Sequence, residues 1–286
     1  MNTDAWVRAH PYLKPVGRVC ARIEVAAAAE PACASIPVWE DYAADFRAGV
    51  PLLKSNDAEV DLEPGGRSVV SVVERLASDA AGDAFAAEAS ALHRELRTGP
   101  NASCRVVDWL LGEEALTLSS PGLLRCIGWT AMAAFFAPFG GPYAAWRDEE
   151  KWQKNYCPTC GSGPAMAQLV GNDSGRMRWL ACGLCRSRWR YGRTVCPFCE
   201  KDAHRAAAAI VQGEGGLRID HCESCKGYLK TYDGQGNEDV MLADWTTLHL
   251  DIAAHDRGLV RKAASLYELG ALLPARLETG GSRATA

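Results

Sequence analysis

The sequence is short of long apolar runs. The longest, CIGWTAMAAFFAPF at 126–139, has fourteen residues, too few to cross a bilayer, and Arg125 precedes it. It predicts a buried core helix and no membrane insertion. The first residues, MNTDAWVRAHPYLKP, lack the apolar stretch and small-residue cleavage site of a secretory leader, so a cytoplasmic protein is expected. Positive charge is not in excess either. The net charge is −4, which argues against generic affinity of the whole surface for nucleic acid or anionic lipid. No convincing Ser-His-Asp order, phosphate loop or dinucleotide fingerprint is present, so the chain is read as a non-enzyme. The acidic pairs Glu113-Glu114 and Glu149-Glu150 read as solvated charge.

What the chain does have is cysteine, twelve in 286 residues. A reducing compartment keeps ordinary thiols unpaired, so this number needs a cause. Cys20, Cys33, Cys104 and Cys126 are scattered and lack ligand spacing, and they read as buried thiols. The other eight lie between Cys157 and Cys225, all in C-x-x-C pairs. CPTC recurs 39 residues later as CPFC, and CGLC recurs 40 residues later as CESC. The spacers within the two copies are 21 and 22 residues, so a unit of about 40 residues occurs twice.

Two residues between cysteines let a tight turn aim both sulfurs at one point. Two facing turns make a tetrahedral S4 cage, as in zinc ribbons and rubredoxin. Each spacer suffices for two strands and a turn: MAQLV, then NDSG, then RMRWLA in the first copy, and AAAAIVQ, a turn at 213–216, then LRIDH in the second. Pro158 and Pro197 pre-set the leading turns. Gly161 supplies a residue free to take positive φ after CPTC, whereas Glu200 stands there in the second copy. Structural disulfides suit the expected compartment poorly, and a thioredoxin-like dithiol has one C-x-x-C rather than four in tandem. The spacing therefore assigns Cys157, Cys160, Cys182 and Cys185 to one metal and Cys196, Cys199, Cys222 and Cys225 to a second. Cross-braced or interleaved pairing stays open at this level, as does His221 in place of a thiolate; His204 is also nearby. Iron and zinc both accept four thiolates.

Around these pairs the chain divides. The first half is Ala-rich with apolar residues at helical spacing, for example Val69, Val72, Val73 and Leu76, then Phe85, Ala89, Leu92 and Leu96. Gly82 is expected to split that stretch. A further helix should begin at Ser120-Pro121 and stop near Pro138–Pro142. After Gly236, a short helix near Asp244 should end before Gly258, and another should occupy 259–272. The expected architecture is α+β and multidomain: an all-α domain at 1–145, rubredoxin-like or zinc-ribbon modules at 155–193 and 194–236, a helical segment at 237–275, and a disordered tail at 276–286. From Lys151 to Arg193 there are eight basic residues and one acidic one. Arg186, Arg188 and Arg190 alternate with Ser187, Trp189 and Tyr191, which on a strand places cations on one face and aromatics on the other. That pattern fits a solvated face over a packed one. It also fits a docking surface for an acidic partner or, with stacking aromatics, for nucleic acid. Trp189 is expected to shield the first metal.

CPTCGSGP, RWLACGLCRSRWRYGRTVCPFCE and HCESCKGYLKTYD resemble the signature of the formate dehydrogenase accessory protein FdhE family, and DWTTLHLDIAAHDRGLVRKAASLY is similar to that family's C-terminal part. The resemblance is specific from about Tyr156 to Tyr267 and weaker before it. It implies an N-terminal helical domain followed by two rubredoxin-like modules whose cysteines hold two metal ions, iron first and zinc as the alternative. It also implies a cytoplasmic, chaperone-like maturation factor that binds the formate dehydrogenase catalytic subunit before export. A nucleic-acid-binding double zinc ribbon and a rubredoxin-like redox carrier are the competing functions.

Overall fold

The computed structural model describes residues 2–79, 82–171, 175–202, 216–263 and 265. The first half is helical: α1 (Thr3–Ala9), α2 (Lys14–Ala28), α3 (Trp39–Ala48), α4 (Glu63–Ala77), α5 (Ala84–Leu96), α6 (Ala102–Leu111) and α7 (Pro121–Trp146). The apolar spacing of α4 explains its central position. Val69, Val72, Val73 and Leu76 are all buried, facing α2, α5, α6 and α7. The break expected at Gly82 falls between α4 and α5, and Asp83 caps α5 by accepting from the Ala86 N–H.

α7 begins where expected, with Pro121 in its first turn, but it does not stop at Pro138–Pro142. It runs through both prolines to Trp146. Each proline removes one helical N–H. Both rings lie on the exposed side, with Ala137 and Gly141, where a freed carbonyl can take water. The opposite side buries Phe135, Phe136, Phe139 and Tyr143. Tyr143 packs on Tyr42, Trp39 and Trp146, and this aromatic contact carries the helix past the breaks. At 26 residues, α7 is long and apolar enough by length and composition to cross a membrane. However, 56% of its most apolar window is buried against protein, which makes it the core helix of this fold.

The cysteine region forms a single sheet. Strands β1 (Met166–Val170), β2 (Met177–Ala181) and β3 (Arg188–Arg190) come from the first copy, and β4 (Leu217–His221) and β5 (Gly227–Asp233) from the second. The order is β3-β2-β1-β5-β4. Neighbours are antiparallel except at the join, where β1 runs parallel to β5 with Met166 opposite Lys230. β5 is thus a central strand, and its residues from Gly227 to Tyr232 are all buried. The second copy's expected first strand and turn fall mostly outside the described residues, as do the turn at 172–174 and the tail at 276–286.

The chain then forms α8 (Glu238–Met241), a 3-10 turn at Asp244–Thr247 and α9 (Leu248–Asp256), with Gly258 at positive φ just beyond. Where a helix was expected from Leu259, Val260–Arg261 instead forms a short strand, β6, parallel to Gly227–Tyr228; most of 264–286 lies outside the described residues. Asp244 does not act as a helix cap by its side chain. Its carboxylate lies 2.6 Å from buried Lys230 and 2.8 Å from Arg261, and Asp251 meets the same two cations at 2.6 and 2.8 Å. This neutral quartet joins the sheet to the C-terminal segment.

Candidate metal centres

Each C-x-x-C pair forms the same turn. The first cysteine's N–H is taken by a carbonyl five residues on: Cys157 by Ser162, Cys182 by Ser187, Cys196 by Lys201 and Cys222 by Gly227. The residue after the second cysteine is left-handed in all four turns: Gly161 (φ 78°), Arg186 (φ 57°), Glu200 (φ 58°) and Lys226 (φ 56°). A glycine is therefore not required for the turn, although the three side-chain-bearing residues carry backbone strain. Amide donors also reach sulfur. Phe198 N–H points at Cys196 and Gly227 N–H at Cys225, both at 3.4 Å.

The eight cysteines come together as two consecutive groups of four. Within each group the sulfurs lie within 4.8 Å of one another. In the first, Cys157–Cys185 and Cys160–Cys182 are 3.4 Å apart and Cys160–Cys185 3.8 Å. In the second, Cys196–Cys225 is 3.8 Å and Cys199–Cys222 3.7 Å. A tetrahedral metal with sulfurs at about 2.3 Å sets them about 3.8 Å apart, so both groups fit such an ion. His221 is on β4 outside the second group, and His204 lies outside the described residues.

The thiols' acidities show why a cation suits them. Cys160 and Cys182 are pushed well up by hydrogen bonds with neighbouring thiols and by burial. Burial opposes ionisation of Cys185 too, but hydrogen bonds from Cys157, Cys160 and Cys182 outweigh it and hold Cys185 well down. In the second group, burial pushes Cys196 up to about 12. Cys222 is pulled down to about 7, because amide and thiol donors outweigh its burial. Each group by itself favours a thiolate among protonated neighbours. A divalent or trivalent ion would take the place of the protons and stabilise four thiolates together.

The two groups differ in setting. The first is wedged against the helical half. Leu52 and Leu53 N–H donate to the carbonyls of Pro158 and Thr159 at 2.9 Å, and Tyr143 Oη donates to Pro158 at 3.1 Å. Thr159 and Ser187 hydroxyls join its two turns at 2.6 Å. Trp189 is fully buried in the same cluster, with its indole N–H on the Lys154 carbonyl. The second group is more open: Cys199 and Cys225 are half-buried, and the side-chain amide of Asn155 reaches the Pro197 carbonyl.

The arginine stripe is rearranged. Arg186 is in the turn after Cys185, and only Arg188–Arg190 is strand. Arg190 pairs with Glu150 at 3.0 Å, and Arg176 with Asp233. Arg178 is buried, donating to the carbonyls of Gly192 and Val195, and burial pulls its guanidinium down to about 10. Cys20 and Cys126 line one cavity between α2 and α7. The hydrogen bond between them and burial push the Cys20 thiol far up. Cys33 is buried and Cys104 is exposed, contrary to the expectation of burial, because it faces out on α6. The buried quartet of Lys230, Asp244, Asp251 and Arg261 had no sequence signal, since its members are up to 31 residues apart and sit in no motif.

A family profile described as FdhE, central domain, matches residues 156–193, which span the first cysteine group. Curated relatives described as Protein FdhE homolog include one from Shewanella oneidensis, 31% identical over 133 residues (46% of this chain and 44% of the relative). Another, from Pseudomonas aeruginosa, is 32% identical over 127 residues, covering 41% of this chain and 40% of the relative. The matched stretch spans less than half the length of these relatives. The crystal structure of the FdhE protein from Pseudomonas aeruginosa shares the fold, with a TM-score of 0.58 at 22% identity, over 90% of this chain and 88% of that one. The α+β fold agrees with the structural likeness, and the stretch around the first cysteine group is similar to the central domain of the FdhE family.

Proposed function

We propose that the chain is a non-enzymatic accessory factor in the maturation of a respiratory formate dehydrogenase. It acts in the cytoplasm and binds the catalytic subunit before export. The observation that carries this reading is the closure of the cysteine groups. Four thiols would complete a tetrahedron around an ion and leave no open position for substrate, and the first group is built into the helical half by main-chain hydrogen bonds. Such centres shape a surface. The eight cysteines would hold two ions, iron first and zinc as the alternative; iron would add a one-electron couple. The chain should co-purify with the catalytic subunit, and deletion should abolish formate dehydrogenase activity. Absence of both effects overturns the proposal.

The arginines favour a protein partner over a polyanion, because Arg176, Arg178 and Arg190 are already engaged within the protein. A redox role is the second reading. It is favoured by the half-buried Cys199 and Cys225, which bring the second centre near the surface. Metal content and an absorption spectrum on anaerobically purified protein test it. Zinc alone, without a thiolate-to-iron band, removes it.

A further inference from the structure

A cavity of about 560 Å³ lies between α7 and the turn that follows the first cysteine group. Its helical wall is Ala133, Phe136, Ala137, Gly140 and Ala144, positions that recur on one face of α7. The facing wall carries Arg186 and Arg188. From Ala133 to Ala144 the groove is about 16 Å long, room for about five residues of extended chain.

The polar groups here are mostly donors. Arg188 is held by the Gln168 side-chain carbonyl at 2.5 Å, with Glu238 at 4.0 Å. Arg147 is engaged by Glu149 and by the Arg188 carbonyl. Arg186, exposed at the lip, has no acidic or hydrogen-bonding partner among the described residues. Two buried groups on the cavity lining lack a hydrogen-bond partner among the described residues, the indole N–H of Trp179 and Oε2 of Glu149. The free cation calls for a carboxylate, the free N–H for an acceptor, the Glu149 oxygen for a main-chain N–H, and the wall of small side chains for modest side chains, all of which an extended acidic chain supplies.

We propose that this groove binds an extended acidic peptide segment of a partner protein, with a carboxylate on Arg186 and an acceptor on Trp179. The proposal deepens the maturation reading and rests on it only for the partner's identity. Arg186→Gly is a suitable variant, because Gly161 fills the equivalent left-handed position after CPTC. The turn and the metal should therefore survive. Ala137→Trp fills the groove from an exposed helical position.

The test is fluorescence anisotropy on the full, metal-loaded chain. The probes are labelled peptides of alternating alanine and glutamate, or alanine and glutamine. The glutamate peptide should bind, and the glutamine peptide should bind about tenfold more weakly. Arg186→Gly should remove the difference at unchanged metal content, and Ala137→Trp should remove binding. Equal binding of the two peptides, or wild-type binding by Arg186→Gly, overturns the proposal. So does displacement by oligothymidylate that itself binds Ala137→Trp, which would assign Arg186 to nucleic acid. Glutamate-selective binding without capture of the catalytic subunit keeps the groove and removes the maturation reading. Capture without selective binding does the reverse.

Discussion

Gly183, inside the CGLC turn, lies directly against the indole of Trp129 on α7. A β-carbon at Gly183 would stand 2.3 Å from that ring. No side chain fits there unless the turn or the helix moves. Gly183→Ala should therefore destabilise the protein by about 1–3 kcal/mol, as overpacking does. The strain falls on a turn that carries two sulfurs, so the first centre should lose metal affinity while the second keeps it. Stoichiometry by native mass spectrometry and a thermal melt check this. Unchanged stability with both ions retained would show that the contact is slack.

The four turns allow a finer test of backbone strain. Lys226 and Glu200 occupy left-handed positions in which a β-carbon is disfavoured. Lys226→Gly should stabilise the metal-loaded protein by up to about 1 kcal/mol, the relief of strain being partly offset by greater freedom in the unfolded chain. Glu200→Gly should gain less, because Glu200 accepts a hydrogen bond from Asn155 at 3.1 Å. Denaturant titration of the two variants distinguishes the effects. A loss in Lys226→Gly would mean that its side chain holds the turn in another way.

These turns show what was legible in the sequence. A C-x-x-C turn is local, so four residues announce it, and the two spacers suggested which pairs face each other. The left-handed residues were visible only at Gly161, because Arg186, Glu200 and Lys226 are not residue types that advertise positive φ. The pairing of β1 with β5 joins segments more than 60 residues apart, and no local pattern encodes it. The passage of α7 through Pro138 and Pro142 was hidden for a similar reason. Local propensity stops a helix there, and packing by Tyr42 and Trp39 from α3 overrides it.

The buried quartet is the plainest non-local feature. Lys230 is fully buried on the central strand, with Asp244 and Asp251 each at 2.6 Å. Lys230→Met removes one cation and leaves two carboxylates facing Arg261 alone. The expected loss is about 3–5 kcal/mol, the range for leaving a buried charge uncompensated. Adding Asp251→Asn restores balance and should recover a good part of that loss. A double-mutant cycle by chemical denaturation measures it, and additive losses would show that the two residues do not act as a pair.

The two cysteine groups should part with their ions in a set order. The first is enclosed: Cys157, Cys160 and Cys182 are buried, and Leu52, Leu53 and Tyr143 lock the CPTC turn from the helical side. The second exposes the edges of Cys199 and Cys225, and among the described residues no main-chain hydrogen bond ties its turns to the helical half. A chelator reaches an ion by displacing one thiolate at a time, so access to the first sulfur governs the rate. Loaded protein treated with a chromophoric chelator should release its metal in two phases, the fast one from the second centre. Cys222→Ser should remove the fast phase, and Cys182→Ser the slow one. Because the first group sits in the main core, emptying it should also melt the contact with α7. Emptying the second should leave the helical half intact, as measured by hydrogen exchange of α4 and α7 amides. Release of both ions in one phase would mean that the joined sheet makes the centres a single cooperative unit.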